Sequence, residues 1–155
     1  MSFRIIYILI LTILFVSCGE GYEKKNDNEW IWALHSEAGK HVRDIDADNE
    51  TFQILDNPEY AKDKNNVYWR GIEISNADPE TFEVIKENGY SKDENNVYLD
   101  NDKVIFANPN AFEVIEWPYS KDDKRVFNGN LPMEIDNIQE FEITKGGGGK
   151  SSSTK

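Results

Sequence analysis

The sequence predicts an all-β protein, an antiparallel sheet built from three and a half β-hairpin repeats of about 30 residues with short capped helical turns. Two periodic features support this prediction. A tyrosine-led segment occurs three times, as "YAKDKNNVYWRG", "YSKDENNVYLDN" and "YSKDDKRVFNGN", opening at Tyr60, Tyr90 and Tyr119. A phenylalanine-led segment follows each one, at Phe82, Phe112 and Phe141, with an earlier copy at Phe52.

The first half of each unit has the composition of a hairpin. The turn runs from Asp63 to Asn66 in one unit and from Asp93 to Asn96 in the next. Asn and Asp tolerate left-handed backbone conformations and bond to nearby backbone amides, so they suit a tight connection between strands. A short strand and a second turn, with Gly71 in one unit and Asn128-Gly129 in another, complete this half.

The second half of each unit begins with a helix-capping residue followed by an alternating strand. In the best-defined copy, Asp78 is the cap, Pro79 suits the first position of a helical turn, and Phe82-Glu83-Val84 alternates apolar and acidic side chains. The other predicted caps are Asp48, Asn108 and Asn137. The alternation predicts that Phe52, Phe82, Phe112 and Phe141 line one continuous core.

The Asp-Lys-Asn-Asn-Val-Tyr pattern at Asp63–Tyr68, and its second copy at Asp93–Tyr98, resembles the DKNYY family of bacterial repeat proteins. The resemblance covers about residues 46–144. In the third copy, Asp122–Phe127, both asparagines and the tyrosine are replaced. The resemblance implies a repeat architecture and a bacterial protein that is secreted or lipid-anchored, and it implies no activity.

The N-terminus has the features of a processing signal. A short positive start is followed by an apolar run from Ile5 to Val16, which is shorter than the ~20 residues of a membrane-spanning helix. "LFVSCGE" then resembles a bacterial lipoprotein signal, with Ser17 before Cys18, the predicted lipid attachment residue. An ordinary secretory signal and an uncleaved anchor are the alternatives. Cys18 is the only cysteine, which excludes an internal disulfide and a thiolate zinc cluster.

These features predict four segments. Residues 1–17 are a lipoprotein signal peptide, 18–28 a lipid-anchored flexible tether, 29–144 the β-repeat domain, and 145–155 a disordered Gly/Ser/Lys tail. The predicted location is the cell envelope, where the N-terminal lipid holds the protein on a membrane. In a Gram-negative organism, Gly19 after the cysteine favours the outer membrane by resemblance to sorting signals.

The net charge of −12 at pH 7 argues against nucleic acid as a partner, because the chain repels phosphates. It also keeps the folded body away from anionic lipid headgroups.

The sequence predicts no metal site and no cofactor. "DIDADNE", residues 44–50, resembles the start of an EF-hand loop, but the sixth position holds Asn49 where glycine is needed and the twelfth holds Leu55 where glutamate is needed. The two histidines, His35 and His41, share no helix face and have no cysteine to complete a zinc site.

No catalytic residue is predicted either. Acidic residues recur in register at Asp63, Asp93 and Asp122, and a residue repeated in every unit serves what every unit needs, which is folding or solubility. We therefore expect a non-enzymatic binding or structural module. The alternatives are an envelope hydrolase that acts on glycans through a carboxylate pair and a calcium-dependent module.

The non-recurring aromatic and basic residues are the candidates for a ligand surface. Trp30 and Trp32 are expected to cap the open end of the array. A second set is the possible contact surface for a protein or glycan partner, provided that its members share one face: Trp69, Arg70, Trp117 and Arg125.

Overall fold

The computed structural model describes residues 19–85, 88–135 and 137–151. The predicted signal peptide and the lipid attachment residue Cys18 lie outside the described residues. Within the described ranges, no helix has the length and apolar character needed to cross a membrane.

The all-β prediction is confirmed, because the described chain forms five small antiparallel sheets. The strands of each sheet follow one another in chain order, each pairing with the next. The first sheet consists of β1 (Glu20–Asn26), β2 (Glu29–Ser36) and β3 (Gly39–Ile45). The second consists of β4 (Gln53–Ile54), β5 (Tyr60–Lys62), β6 (Val67–Trp69) and β7 (Ile72–Glu73).

The third and fourth sheets repeat the second. The third consists of β8 (Glu83–Val84), β9 (Tyr90–Lys92), β10 (Val97–Leu99) and β11 (Asp102–Lys103). The fourth consists of β12 (Glu113–Glu116), β13 (Tyr119–Lys121), β14 (Val126–Asn128) and β15 (Leu131–Pro132). A 3-10 helix, Ile138–Glu140, precedes the last sheet, which pairs β16 (Phe141–Ile143) with β17 (Gly149–Ser151).

The predicted caps stabilise the turns that link one sheet to the next. The side chain of Asp78 accepts hydrogen bonds from the Glu80 amide at 2.9 Å and the Thr81 hydroxyl at 2.8 Å. Asn137 accepts from the Gln139 amide at 3.0 Å and caps the 3-10 helix. Each capped turn delivers the chain to the first strand of the next sheet, so one repeat spans two sheets.

The aromatic residues form a regular series of pairs along the array. Each phenylalanine packs on the tyrosine of the preceding sheet with ring centroids 5.2–5.9 Å apart. The four pairs are Tyr22–Phe52, Tyr60–Phe82, Tyr90–Phe112 and Tyr119–Phe141. The prediction of one continuous core needs correction, because the buried residues fall into three clusters, each filling the space between neighbouring sheets.

The segment predicted as a flexible tether is a strand instead. Residues 20–26 form β1 and pair along their length with β2. Tyr22 is buried and packs edge-on against Trp32, with ring centroids 4.8 Å apart. Burial of this ring anchors a segment that is otherwise polar, so the repeat domain begins before residue 29.

Tyr22 also supplies the tyrosine of the first unit, which the sequence period predicts as a half-unit. Its hydroxyl donates to the Glu59 carbonyl at 3.2 Å, and Tyr60 donates in the same way to the Gly89 carbonyl at 2.7 Å. Both acceptors directly precede the tyrosine of the next unit. The described chain therefore contains four tyrosine–phenylalanine units, not three and a half.

The C-terminal tail also departs from its prediction. Gly149–Ser151 forms β17, which pairs with β16. The amide of Gly149 donates to the Tyr119 hydroxyl at 2.7 Å. A Cβ at this glycine would lie 2.6 Å from the Phe141 ring, so only glycine allows the strand to approach so closely. The low-complexity run thus packs against the preceding sheets.

Candidate functional site

Trp69 and Arg70, two of the predicted site residues, lie side by side at the turn between β6 and β7. The guanidinium of Arg70 lies over the Trp69 ring, 5.1 Å from its centroid. Two carboxylates hold the guanidinium there, Glu20 at 3.1 Å and Glu59 through close contacts to Nη2 and Nε. Arg70 and Gly71 both have positive φ, the conformation of a two-residue hairpin loop.

Beside this turn, a groove of about 490 Å³ separates the first sheet from the second. It exists because β2 and β3 have eight and seven residues, whereas the strands of the second sheet have two or three. The longer first hairpin leaves apolar side chains uncovered, with Leu34 42% and Val42 53% exposed. The groove is lined by Glu20, Trp32, Leu34, His41, Val42, Arg43, Trp69, Arg70 and Ile72.

Arg43 is the exposed cation of this groove. Its guanidinium donates to the Arg70 carbonyl at 2.6 Å, and no carboxylate pairs with it among the described residues. By contrast, the charge of Arg70 is shared between two glutamates. Positive charge is therefore available at Arg43, on a chain whose net charge is strongly negative.

The other two predicted site residues have different surroundings. Trp117 is 53% exposed and packs edge-on against Tyr90 of the third sheet. Arg125 lies over the Phe106 ring at 5.5 Å. The structure thus places Trp69 against Arg70, whereas Trp117 and Arg125 each contact a different aromatic residue.

The recurring aspartates hold the turns together. In the third sheet, Asp93 is buried and its Oδ1 accepts from the amides of Asn95 and Asn96, both at 2.7 Å. Its Oδ2 lies 2.8 Å from the Tyr98 hydroxyl and 3.0 Å from the amide of Asp78 in the preceding capped turn. One carboxylate therefore binds its own turn, a strand and the preceding unit.

The same geometry recurs at the other two corners. Asp63 makes the corresponding four bonds, and Asp122 makes three of them. Burial acts to raise the pKa of Asp63 and Asp93, but the hydrogen bonds that their carboxylates accept outweigh it and lower both pKa values. Asp63 and Asp93 are therefore ionised structural acceptors, and their recurrence predicts this scaffold role.

The other sequence candidates have separate structural roles. Asp44 accepts from Lys25 Nζ at 2.9 Å, Asp46 offers its carbonyl to Tyr68, and Asp48 caps a turn. Nε2 of His35 lies 2.5 Å from Glu23. Across residues 19–85, 88–135 and 137–151, no group of three or more His, Cys, Asp or Glu side chains is placed to hold a metal ion.

The tyrosine-led unit that begins at Tyr22 coincides with the start of a family match. The DKNYY family model matches residues 22–153. The chain belongs to the DKNYY family. Neither the curated proteins nor the solved structures compared with it include a significant match. The matched range starts within β1 and includes β17, so in this DKNYY protein the family unit and the folded array have nearly the same limits.

The divergent third motif of this DKNYY protein contains a paired exchange. In the second and third sheets, a tyrosine hydroxyl reaches the carbonyl of a preceding turn, as Tyr98 does with Asn76 at 3.1 Å. Phe127 occupies that place in the fourth sheet and has no hydroxyl. Arg125 replaces the motif asparagine, and its Nη1 donates to the equivalent carbonyl, that of Phe106, at 3.3 Å.

We expect the two replacements to compensate for each other. Arg125→Asn alone removes the donor to the Phe106 carbonyl and should destabilise the protein by about 1 kcal/mol. Arg125→Asn combined with Phe127→Tyr restores the asparagine–tyrosine arrangement of the other units and should recover most of that loss. Urea unfolding of the wild type, both single variants and the double variant measures the coupling. Strictly additive effects would contradict the exchange.

Most of the groove residues are not predicted from the sequence, and four of them lie on the β2–β3 hairpin: Leu34, His41, Val42 and Arg43. The sequence does indicate an insertion in this unit through the spacing of the tyrosines. Tyr22 and Tyr60 are 38 positions apart, whereas the later tyrosines are 30 and 29 apart. The additional residues lengthen the first hairpin of this DKNYY protein and create the overhang that forms the groove.

Proposed function

We propose that this protein is a lipid-anchored lipoprotein of the bacterial cell envelope, and that its β-repeat body is a non-catalytic binding or structural module. Lipid on Cys18, two residues before the start of β1, would attach it to a membrane. The ligand surface in this proposal is the groove beside Trp69 and Arg70, which opens between the first and second sheets.

One observation carries the proposal: the recurring acids are bonded into the scaffold, and the groove is lined mainly by residues that do not recur. Asp63 and Asp93 each use both carboxylate oxygens for turn, strand and capping bonds. Among the described units, the long β2–β3 hairpin occurs in the first unit alone. A feature that one unit alone possesses, and that the repeat does not need for folding, is suited to a specific contact.

The scaffold role of the acids favours this proposal over a glycan hydrolase. Hydrolysis by a carboxylate pair requires two acids in unlike environments, one protonated and one ionised. Asp63 and Asp93 occupy equivalent buried corners, and both have lowered pKa values. Their arrangement therefore supports a structural role.

The anchor is tested by Cys18→Ser. In bacteria fed with radiolabelled palmitate, the wild-type protein should incorporate label and sediment with membranes. The variant should lose the label and appear in the soluble fraction, because two or three acyl chains at ~0.8 kcal/mol per buried methylene account for durable attachment.

Ser17→Ala is the matched control, since it keeps a small residue before the cysteine and should be labelled like the wild type. Label on the Cys18→Ser protein would disprove attachment at this residue. An unlabelled variant that still sediments with membranes would indicate an uncleaved apolar anchor.

A further inference from the structure

The edge of the first sheet at β3 is long and open. The sheet order β1-β2-β3 places β3 at the margin, and no strand of the described part of the chain pairs with its outer side. β3 has seven residues, six of them exposed, whereas the corresponding edge strands β7, β11 and β15 have two each. Short edge strands protect a sheet against further pairing, and β3 lacks that protection.

The groove runs along this edge. Three consecutive residues of β3, His41, Val42 and Arg43, line it together. Successive side chains of a strand point to opposite faces, so consecutive lining residues place the strand margin itself at the groove. Trp69 and Ile72 of the second sheet form the opposite wall. The space therefore combines unpaired backbone on one side with apolar side chains on the other.

The charge of this edge is opposite to that of the rest of the chain. Lys40, His41 and Arg43 lie on β3 with one acid, Asp44, in a protein of net charge −12. Lys40 pairs with Glu23 at 2.6 Å and Asp44 pairs with Lys25 at 2.9 Å. Arg43 keeps its charge without a carboxylate partner among the described residues, which leaves the edge attractive to an anion.

We propose that the β3 edge and the adjacent groove bind an extended, acidic segment of a partner protein as a fourth strand of the first sheet. Backbone hydrogen bonds to β3 would supply affinity, and the side-chain chemistry of the groove would supply selectivity. Acidic residues of the segment face Arg43 and His41, and apolar residues contact Leu34 and Trp69. This inference rests on the proposed binding role of the β-repeat body.

A second copy of this chain fits the edge less well. Antiparallel pairing of two β3 strands about Val42 would place Lys40 opposite Asp44, but it would also place His41 opposite Arg43 in both halves. The two arginines without carboxylate partners would then both lie at the junction between the two β3 strands. An acidic partner strand would instead place negative charges opposite His41 and Arg43.

The test uses the folded protein and a fluorescein-labelled peptide of alternating glutamate and valine with the length of β3. Fluorescence anisotropy measures binding, and hydrogen exchange measures protection of the β3 amides. We expect saturable binding that weakens with added salt, together with slower exchange in β3. Arg43→Glu should weaken binding at least about tenfold, because it places like charges together.

Lys103→Glu is the matched control, since Lys103 is an exposed cation on the corresponding edge strand β11 and the charge change is the same. It should bind the peptide like the wild type, and circular dichroism should show both variants folded. Equal losses of peptide affinity in the two variants would show that the effect comes from net charge alone, and would contradict binding at the β3 edge.

Two peptide controls test the mode of binding. A lysine–valine peptide that binds as tightly overturns the requirement for acid. Versions methylated at every valine nitrogen, or at every glutamate nitrogen, block one or the other side of the strand, so equal binding by both overturns strand addition. If instead the protein dimerises and Arg43→Glu changes its mass in sedimentation, the occupant is a second copy. None of these outcomes alters the palmitate result for Cys18.

Discussion

Replacing Asp93 with alanine should lower the free energy of unfolding by at least about 3 kcal/mol. The substitution leaves three part-buried amides without their acceptor, and each such unsatisfied group costs about 1–3 kcal/mol. It also removes one of the two acceptors of the Tyr98 hydroxyl, which keeps the Asn76 carbonyl. The loss also reaches the preceding unit, since the amide of Asp78 is one of the donors. Urea unfolding followed by tryptophan fluorescence measures the change.

Glu94→Ala is the control in the same turn. Glu94 is exposed, and its side chain forms none of the bonds that join the turn to the strand or to the preceding unit. We expect its effect to lie within about 0.5 kcal/mol. A loss at Glu94 as large as that at Asp93 would mean that the turn tolerates no substitution, and the bonds of the carboxylate would not be the cause.

Acid should weaken the protein through the same carboxylates. The hydrogen bonds of Asp63 and Asp93 lower their folded pKa values below the reference of 3.8, despite the opposing effect of burial. A depressed folded pKa contributes stability above the unfolded pKa, and this contribution disappears as the pH falls through the folded pKa. The wild type should therefore lose stability below about pH 4, with a shallower slope in Asp93→Ala.

The repeat could be predicted from sequence because the hydrogen bonds that define it are short-range. Asp93 bonds to amides two and three residues ahead, and Asp78 to groups two and three residues ahead, so the motif letters and the bonds lie within the same short segments. The turn and cap positions could therefore be predicted without knowledge of the tertiary structure. The all-β class followed from them.

The ends of the array could not be predicted from sequence, because they are held by long-range packing. Tyr22 belongs to the series because its hydroxyl contacts Glu59 and its ring contacts Phe52, both more than one hairpin away. Because the β2–β3 hairpin is longer, Tyr22 does not fall at the 30-residue spacing of the other tyrosines. At the other end, Gly149 reads as linker sequence, yet it packs because a glycine alone fits beside Phe141. Composition describes a segment's own preference, whereas its neighbours decide whether it is buried.

The groove could not be predicted for a related reason. Trp69 and Arg70 stand out as non-recurring residues, but their neighbours Leu34 and Arg43 come from a different sheet and are ordinary strand residues in sequence. The register of the first hairpin pairs Leu34 with His41 and Trp32 with Arg43, and it thereby brings these side chains to one face of the sheet.

Phe82→Ala should be at least as damaging as the loss of Asp93, with a cost of about 3–5 kcal/mol. Phe82 is 8% exposed, and its ring lies 5.9 Å from that of Tyr60 in the second sheet and 6.4 Å from that of Tyr98 in the third. Its removal leaves a cavity between two sheets that have no strand pairing with each other. Urea unfolding measures the loss of stability. A smaller dependence of the free energy of unfolding on urea concentration would show that the sheets no longer unfold together.

Phe106→Ala is the matched control, because it deletes the same side chain from the same array. Phe106 is 68% exposed and adopts a positive φ of 65°, so its ring excludes little water from the core and its backbone conformation is costly for a bulky residue. We expect little change in stability, since alanine loses only the exposed contact with Arg125. If Phe82→Ala were equally mild, the recurring phenylalanines would not hold neighbouring sheets together, and the stability of the array would have to come from the aspartate corners and tyrosine hydroxyls instead.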